Sequence, residues 1–248
     1  MSIGKVICFI IIAASMSACG GGGGDGSSDG SGAAEGLWRG TTNTNRILAG
    51  VILDDGTYWF IYSPVGNSAV SAGFIQGNGT SSYGTFSSSN GKDFNLEGLG
   101  VTNFTLASAA KAKNSLGGTL TYSSSDTTTF ISSYDTNYDL TPSLSAIAGA
   151  YSGAAVTTGG TAFATVTFSD SGTISGNDAG GCTFTGNAAP RAKGNVYNVS
   201  VTFGGGVCAN GTSTVKGVAY FDADSKLITS AALNSDRTDG FIYVGTKQ

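Results

Sequence analysis

The chain has no histidine, three prolines and two methionines in 248 residues, and charged side chains make up 11% against a usual ~25%. Without imidazole, the commonest general base, the usual catalytic triads and most transition-metal sites are excluded together. Scarce Glu, Lys and Arg leave little with which to coat long exposed helices. The basic residues stand singly, so no positive stripe is available for nucleic acid or an anionic membrane surface. The apolar run from Val6 to Ala14 is too short for a spanning helix, which needs ~20 residues. What is abundant is glycine, 40 residues, with Ser, Thr and Asn as the polar complement. That balance predicts β structure with many tight turns.

Lys5, the apolar run and the small residues ending in Ser17-Ala18-Cys19 have the order of a secretory signal. Met16-Ser17-Ala18-Cys19 resembles the lipobox of bacterial lipoproteins, with Met where Leu is usual. The resemblance implies cleavage before Cys19, acylation of its sulfur and a membrane partner held through lipid. Gly20 after the cysteine, rather than Asp, implies an outer-membrane location, with the periplasmic or surface-exposed side left open. Loss of Lys5 with the signal leaves 11 basic and 16 acidic residues, a net charge of −5. Gly20 to Ser31 reads GGGGGDGSSDGS, a coil without core-forming residues and hence a tether. A phosphate-cradling loop would need a preceding strand and a following Lys-Ser/Thr.

Cys8 leaves with the signal, so Cys182 and Cys208 remain as an even pair in an exported chain. A disulfide is the expectation. Zinc would be short of ligands, because two cysteines have no histidine to join them.

The rest reads as an internal duplication. Gly36-Leu37-Trp38-Arg39-Gly40 is echoed by Gly149-Ala150-Tyr151-Ser152-Gly153, and the turn Asp54-Asp55-Gly56-Thr57 by Asp170-Ser171-Gly172-Thr173. Ile75-Gln76-Gly77-Asn78 then matches Phe184-Thr185-Gly186-Asn187, and Gly118 to Tyr122 matches Gly217 to Phe221. Asp55-Gly56 between two apolar runs is a strong hairpin signal. Thr57 to Tyr62 is apolar on both alternating faces, so it must be covered on two sides. Period-two alternation recurs at Phe94 and Leu96, Phe104 and Leu106, Ala162 to Phe168, and Val199 to Phe203. Asn90-Gly91, Asn114 to Gly118, Gly204 to Gly206 and Asn210-Gly211 are expected to be turns.

The fold class expected is all-β, with two tandem antiparallel meander modules forming barrels or sandwiches. The boundaries are a signal at 1–18, a lipidated flexible segment at 19–33, and modules at 34–141 and 142–248. Pro142 to Ala148 carries the link, with one helical turn, and Gly240 to Thr246 closes the second sheet.

Candidates for chemistry are few. Asp222-Ala223-Asp224-Ser225-Lys226 lacks the further oxygen ligand, glycine and glutamate of a calcium loop, and reads as a turn. Asp54 and Asp55 are turn residues as well. A Ser or Thr nucleophile would need Lys111, Lys113, Lys193 or Lys216 as its base, and none stands in a Ser-x-x-Lys frame. No catalytic residue, metal or cofactor is expected.

The aromatic cluster Trp38, Tyr58, Trp59, Phe60 and Tyr62 is the candidate for ligand binding, with core filling as its rival. Its Gly-x-Trp-x-Gly is similar to the first motif of lipocalins, without the rest of that pattern. The layout of signal, lipobox, tether and β modules resembles surface lipoproteins of Gram-negative bacteria, including transferrin-binding and factor H-binding types. The first functional expectation is a non-catalytic binding or adhesion module with a protein or glycan ligand. The alternatives are a periplasm-facing structural lipoprotein and a carrier of a small apolar ligand. A cavity lined by Trp59 or Phe60 would favour the carrier, and a solid interior would remove it.

Overall fold

The computed structural model describes residues 32–248. The expectations for the signal, for Cys19 and for residues 20–31 lie outside that range. The described residues form two antiparallel barrels in tandem.

In the first barrel, β1 (Gly36–Thr42), β2 (Ile47–Ile52), β3 (Thr57–Tyr62) and β4 (Gly73–Asn78) run in sequence order. A short β5 (Thr80–Ser82) precedes β6 (Thr85–Asn95), β7 (Gly100–Lys111), β8 (Ser115–Ser123) and β9 (Asp126–Asp135). β9 pairs back to β1 and β4 pairs with the end of β6, which closes a ring of eight strands, and β5 continues that closing ladder along the start of β6.

The link carries a 3-10 turn at Thr136–Asp139 and one helical turn at Leu144–Ile147, capped by the Ser143 hydroxyl. The second barrel is β10 (Gly149–Thr157), β11 (Gly160–Phe168), β12 (Thr173–Asp178), β13 (Thr183–Pro190) and β14 (Tyr197–Phe203). It ends with β15 (Thr214–Asp222), β16 (Leu227–Leu233) and β17 (Gly240–Lys247), and β17 pairs with β10 to close it. A closed meander leaves no ring strand with unpaired backbone, which is how barrels remove the edge-strand hazard.

The repeat is visible atom by atom at the two entry strands. Trp38 and Tyr151 are each fully buried, and each donates four residues back: Trp38 Nε1 to the Ala34 carbonyl at 2.9 Å, Tyr151 OH to the Ile147 carbonyl at 2.8 Å. Gly40 and Gly153 lie where the closing strand crosses nearest. A methyl group there would run into the backbone at Ile131–Ser132 in one barrel and at Val244–Gly245 in the other. Gly56 and Gly172 have φ of 79° and 83° in matching turns. Gly79 N donates to the Gly56 carbonyl at 2.9 Å, and Ala188 N to the Gly172 carbonyl at 2.7 Å.

Three sequence expectations are corrected here. The fourth landmark fails, because Gly118 lies on the seventh ring strand of its barrel and Gly217 on the sixth of the other. Asn90-Gly91 is no turn: it lies inside β6, where the register shifts between Ser88 and Gly91 in a bulge. Likewise Gly117 and Gly118 belong to β8, and the turn before it ends with Asn114 bonding back to Lys111.

The barrels pack side to side. Leu37, Val51, Trp59, Phe74 and Phe94 from the outside of the first meet Val156, Val218, Tyr220, Ala231, Leu233 and Ile242 from the outside of the second. Phe74 stacks between Phe94 (4.6 Å between centroids, 5° apart) and Trp59 (6.1 Å, 20°). Arg191 reaches Asp54 at 2.6 Å and Asp55 at 3.3 Å across this seam. Arg237 Nη2 donates to the carbonyls of Gln76 and Asn90, both at 2.9 Å, and Lys92 Nζ to the Arg237 carbonyl at 2.8 Å. The doubly apolar β3 is thereby explained: Tyr58, Phe60 and Tyr62 face the barrel interior, while Trp59 and Ile61 face the neighbouring barrel.

Candidate functional site

The two interiors differ. The second barrel is packed with Tyr151, Phe168, Phe203, Phe221 and Phe241 around the Cys182–Cys208 disulfide, and its residual cavity is ≈ 80 Å³. The first holds a cavity of ≈ 430 Å³. That lies within the ~300–1,000 Å³ typical of small-molecule sites.

Which end is open follows from the chain path. Trp38 plugs the end where the chain enters, with its ring edge against Tyr134 at 5.4 Å. Next to the plug, Tyr58 OH donates to Ser88 Oγ at 3.1 Å, and Phe86 and Phe104 pack on the Tyr58 ring. The opposite end, formed by the β1–β2, β3–β4, β6–β7 and β8–β9 connections, is where the cavity lies. Its floor is apolar: Leu48, Ile52, Phe60, Leu106, Leu116 and Leu120. Val65 and Leu99 form its lip and are 59% and 80% exposed.

One polar group is set into this apolar surround. Asp93, on β6, accepts from Tyr62 OH at 2.6 Å on one carboxylate oxygen and from Tyr122 OH at 2.8 Å on the other. Burial pushes the Asp93 carboxyl up from its ordinary value, opposed by the two phenols and by Arg46, with Glu97 adding to the rise. Burial and the adjacent Asp93 charge push both phenols well above the usual tyrosine value. Arg46 is engaged already, to Glu97 at 2.8 Å and to the Ser63 carbonyl at 2.8 Å, and lies over the Tyr62 ring at 5.3 Å.

Of the five aromatic candidates, Phe60 and Tyr62 line the cavity. Trp38 and Tyr58 are core at the closed end, and Trp59 points away into the seam between barrels. Sequence reasoning missed Asp93, Tyr122 and Arg46. Phe94 set the expected phase of β6, yet its apolar character serves the seam. The bulge at Gly91, together with barrel closure, turns Asp93 inward. Asp54 and Asp55 hold Arg191, and Asp222 accepts from Asp224 N at 3.1 Å and Ser225 N at 3.2 Å within its turn. Among the described residues, no group of three His, Cys, Asp or Glu is placed to hold a metal, and no helix is long and apolar enough to cross a membrane.

No protein-family model matches the chain. No curated protein matches it either. Solved structures similar to it include a point mutant of the vaccine antigen transferrin-binding protein B from Haemophilus parasuis, at 12% identity and a TM-score of 0.29. Isotype 1 transferrin-binding protein B from serogroup B Neisseria meningitidis is similar at 10% identity and the same TM-score of 0.29. Each likeness covers 82% of this chain but only 51% and 66% of those chains. Likeness this distant transfers no ligand to this chain.

Proposed function

We propose that this chain is an envelope lipoprotein, anchored at Cys19 on a flexible tether, whose first barrel binds a small, largely apolar ligand. The second barrel serves as its rigid support. The observation that carries this reading is the contrast between two barrels of one repeat: ≈ 430 Å³ of open interior in one and ≈ 80 Å³ in the other. Interiors are ordinarily close-packed, and empty space costs stability in proportion to its volume. A cavity kept in one copy and filled in the other is what ligand binding calls for. The apolar lip at Val65 and Leu99 supports the same reading, because it gives an apolar ligand a continuous path to the floor. Display of a protein- or glycan-binding surface, first in the sequence reading, ranks behind this one.

The test is titration of the purified protein with a neutral fluorophore that brightens in apolar surroundings. Saturable, one-to-one binding is expected. Ile75→Trp, which adds bulk from a partly buried position on the cavity wall, should abolish it without changing the far-ultraviolet circular dichroism. No saturable binding to the wild type, or equal binding by Ile75→Trp, would count against the reading.

A further inference from the structure

The polar face of the cavity has a chemical polarity of its own. Both carboxylate oxygens of Asp93 accept a phenol proton, at 2.6 and 2.8 Å, and each keeps a free lone pair. The two phenol oxygens have spent their only protons on Asp93, so toward the cavity they too present lone pairs alone. Thr42 Oγ1 accepts from Arg46 N at 3.1 Å and shares a proton with Thr44 Oγ1 at 2.8 Å. The one cation at the mouth, Arg46, is held by Glu97 and a carbonyl, while Asp126 adds a further carboxylate to the lining. Asn95, also in the lining, accepts from the Glu97 and Leu99 amides on its Oδ1 at 2.9 and 3.2 Å and keeps its Nδ2 as a neutral donor. An incoming head group therefore meets mainly acceptors, with Asp93 and Asp126 against the one engaged Arg46 leaving a net negative charge.

Building on the ligand reading above, we propose that the first barrel selects amphiphiles whose polar head is a cationic hydrogen-bond donor, an alkyl ammonium, with Asp93 as the residue that determines this preference. The head would approach Asp93 between Tyr62 and Tyr122, and the alkyl body would lie along the leucine-lined floor. A carboxylate head would meet two carboxylates, Asp93 and Asp126, and no free cation among the lining residues. Neutralising Asp93 with a bound ammonium also offsets the disadvantage that burial imposes on its charged form.

The experiment displaces the neutral fluorophore from the full-length protein with dodecylamine, dodecanol and dodecanoate at pH 7. Dodecylamine should compete at a concentration about tenfold below dodecanol, the factor that one charge-assisted hydrogen bond supplies, and dodecanoate should be weakest. Asp93→Asn should bring the amine-to-alcohol ratio toward one. A second measurement needs no variant. The groups facing Asp93 are Tyr62, Tyr122, Arg46 and Glu97, so as pH falls through its raised value Asp93 gains a proton and the amine-to-alcohol ratio should fall toward one. Fluorophore binding with no amine preference, with a preference for dodecanoate, or with an amine preference untouched by both Asp93→Asn and acid overturns this inference alone. Absence of fluorophore binding to the wild type removes the ligand reading, and this inference with it.

Discussion

Phe74→Ala is the change that most directly probes how the two barrels are held. Phe74 is fully buried, lies between the rings of Phe94 and Trp59, and meets Gly240 of the second barrel, where even an added methyl would touch its ring. Truncating a buried phenylalanine costs roughly 3–5 kcal/mol, and a chain of this size loses about 2–4 °C of Tm per kcal/mol. The expected drop is therefore roughly 6–20 °C. Its position in the seam adds a qualitative expectation. The loss falls on the contact between barrels, so differential scanning calorimetry should resolve one wild-type transition into two, and protease should gain access to the 136–148 link. Phe86→Ala, deep inside the first barrel, should lower stability without uncoupling them. A single transition in Phe74→Ala, displaced by under about 3 °C, would refute the view that the seam is a structural core.

Reducing the Cys182–Cys208 bond should lower the melting temperature of the second barrel, since closing a loop of that length stabilises by roughly 3–4 kcal/mol in the chain-entropy model; melting with and without reductant checks it. Gly40→Ala and Gly153→Ala should each destabilise by about 1–3 kcal/mol, one in each barrel, as overpacked sites do, and chemical denaturation should give similar losses for the two. The raised Asp93 value means that its protonated form is favoured by folding, so its unfavourable contribution is absent at acid pH and appears as pH rises through the folded value. The stability of Asp93→Asn relative to wild type should therefore be greatest at neutral pH and fall on acidification, as read by urea denaturation across the range.

The fold was largely legible because its signals are local. Turn glycines, period-two alternation and the Gly-x-aromatic-x-Gly entry strands needed only neighbours in sequence to be read, and two barrels result. The site was less so. Trp59 and Phe60 look alike in sequence, and only ring closure decides that Phe60 faces a cavity while Trp59 faces the other barrel. Asn90-Gly91 carries the residues of a tight turn, yet pairing of β6 with β7 continues on both sides of it and converts the signal into a bulge. Asp93 was invisible for that reason. A charge beside Phe94 reads as the solvent face until the register is known.

One barrel is hollow for a ligand, on the reading proposed above, and its repeat is not. Methyl-resolved NMR of the protein titrated with the neutral fluorophore tests this directly. Signals of Leu106, Leu116 and Leu120 in the first barrel should shift saturably, while those of Val199, Val201 and Val215 in the second stay in place. Shifts confined to the second barrel, or spread equally over both, would contradict it.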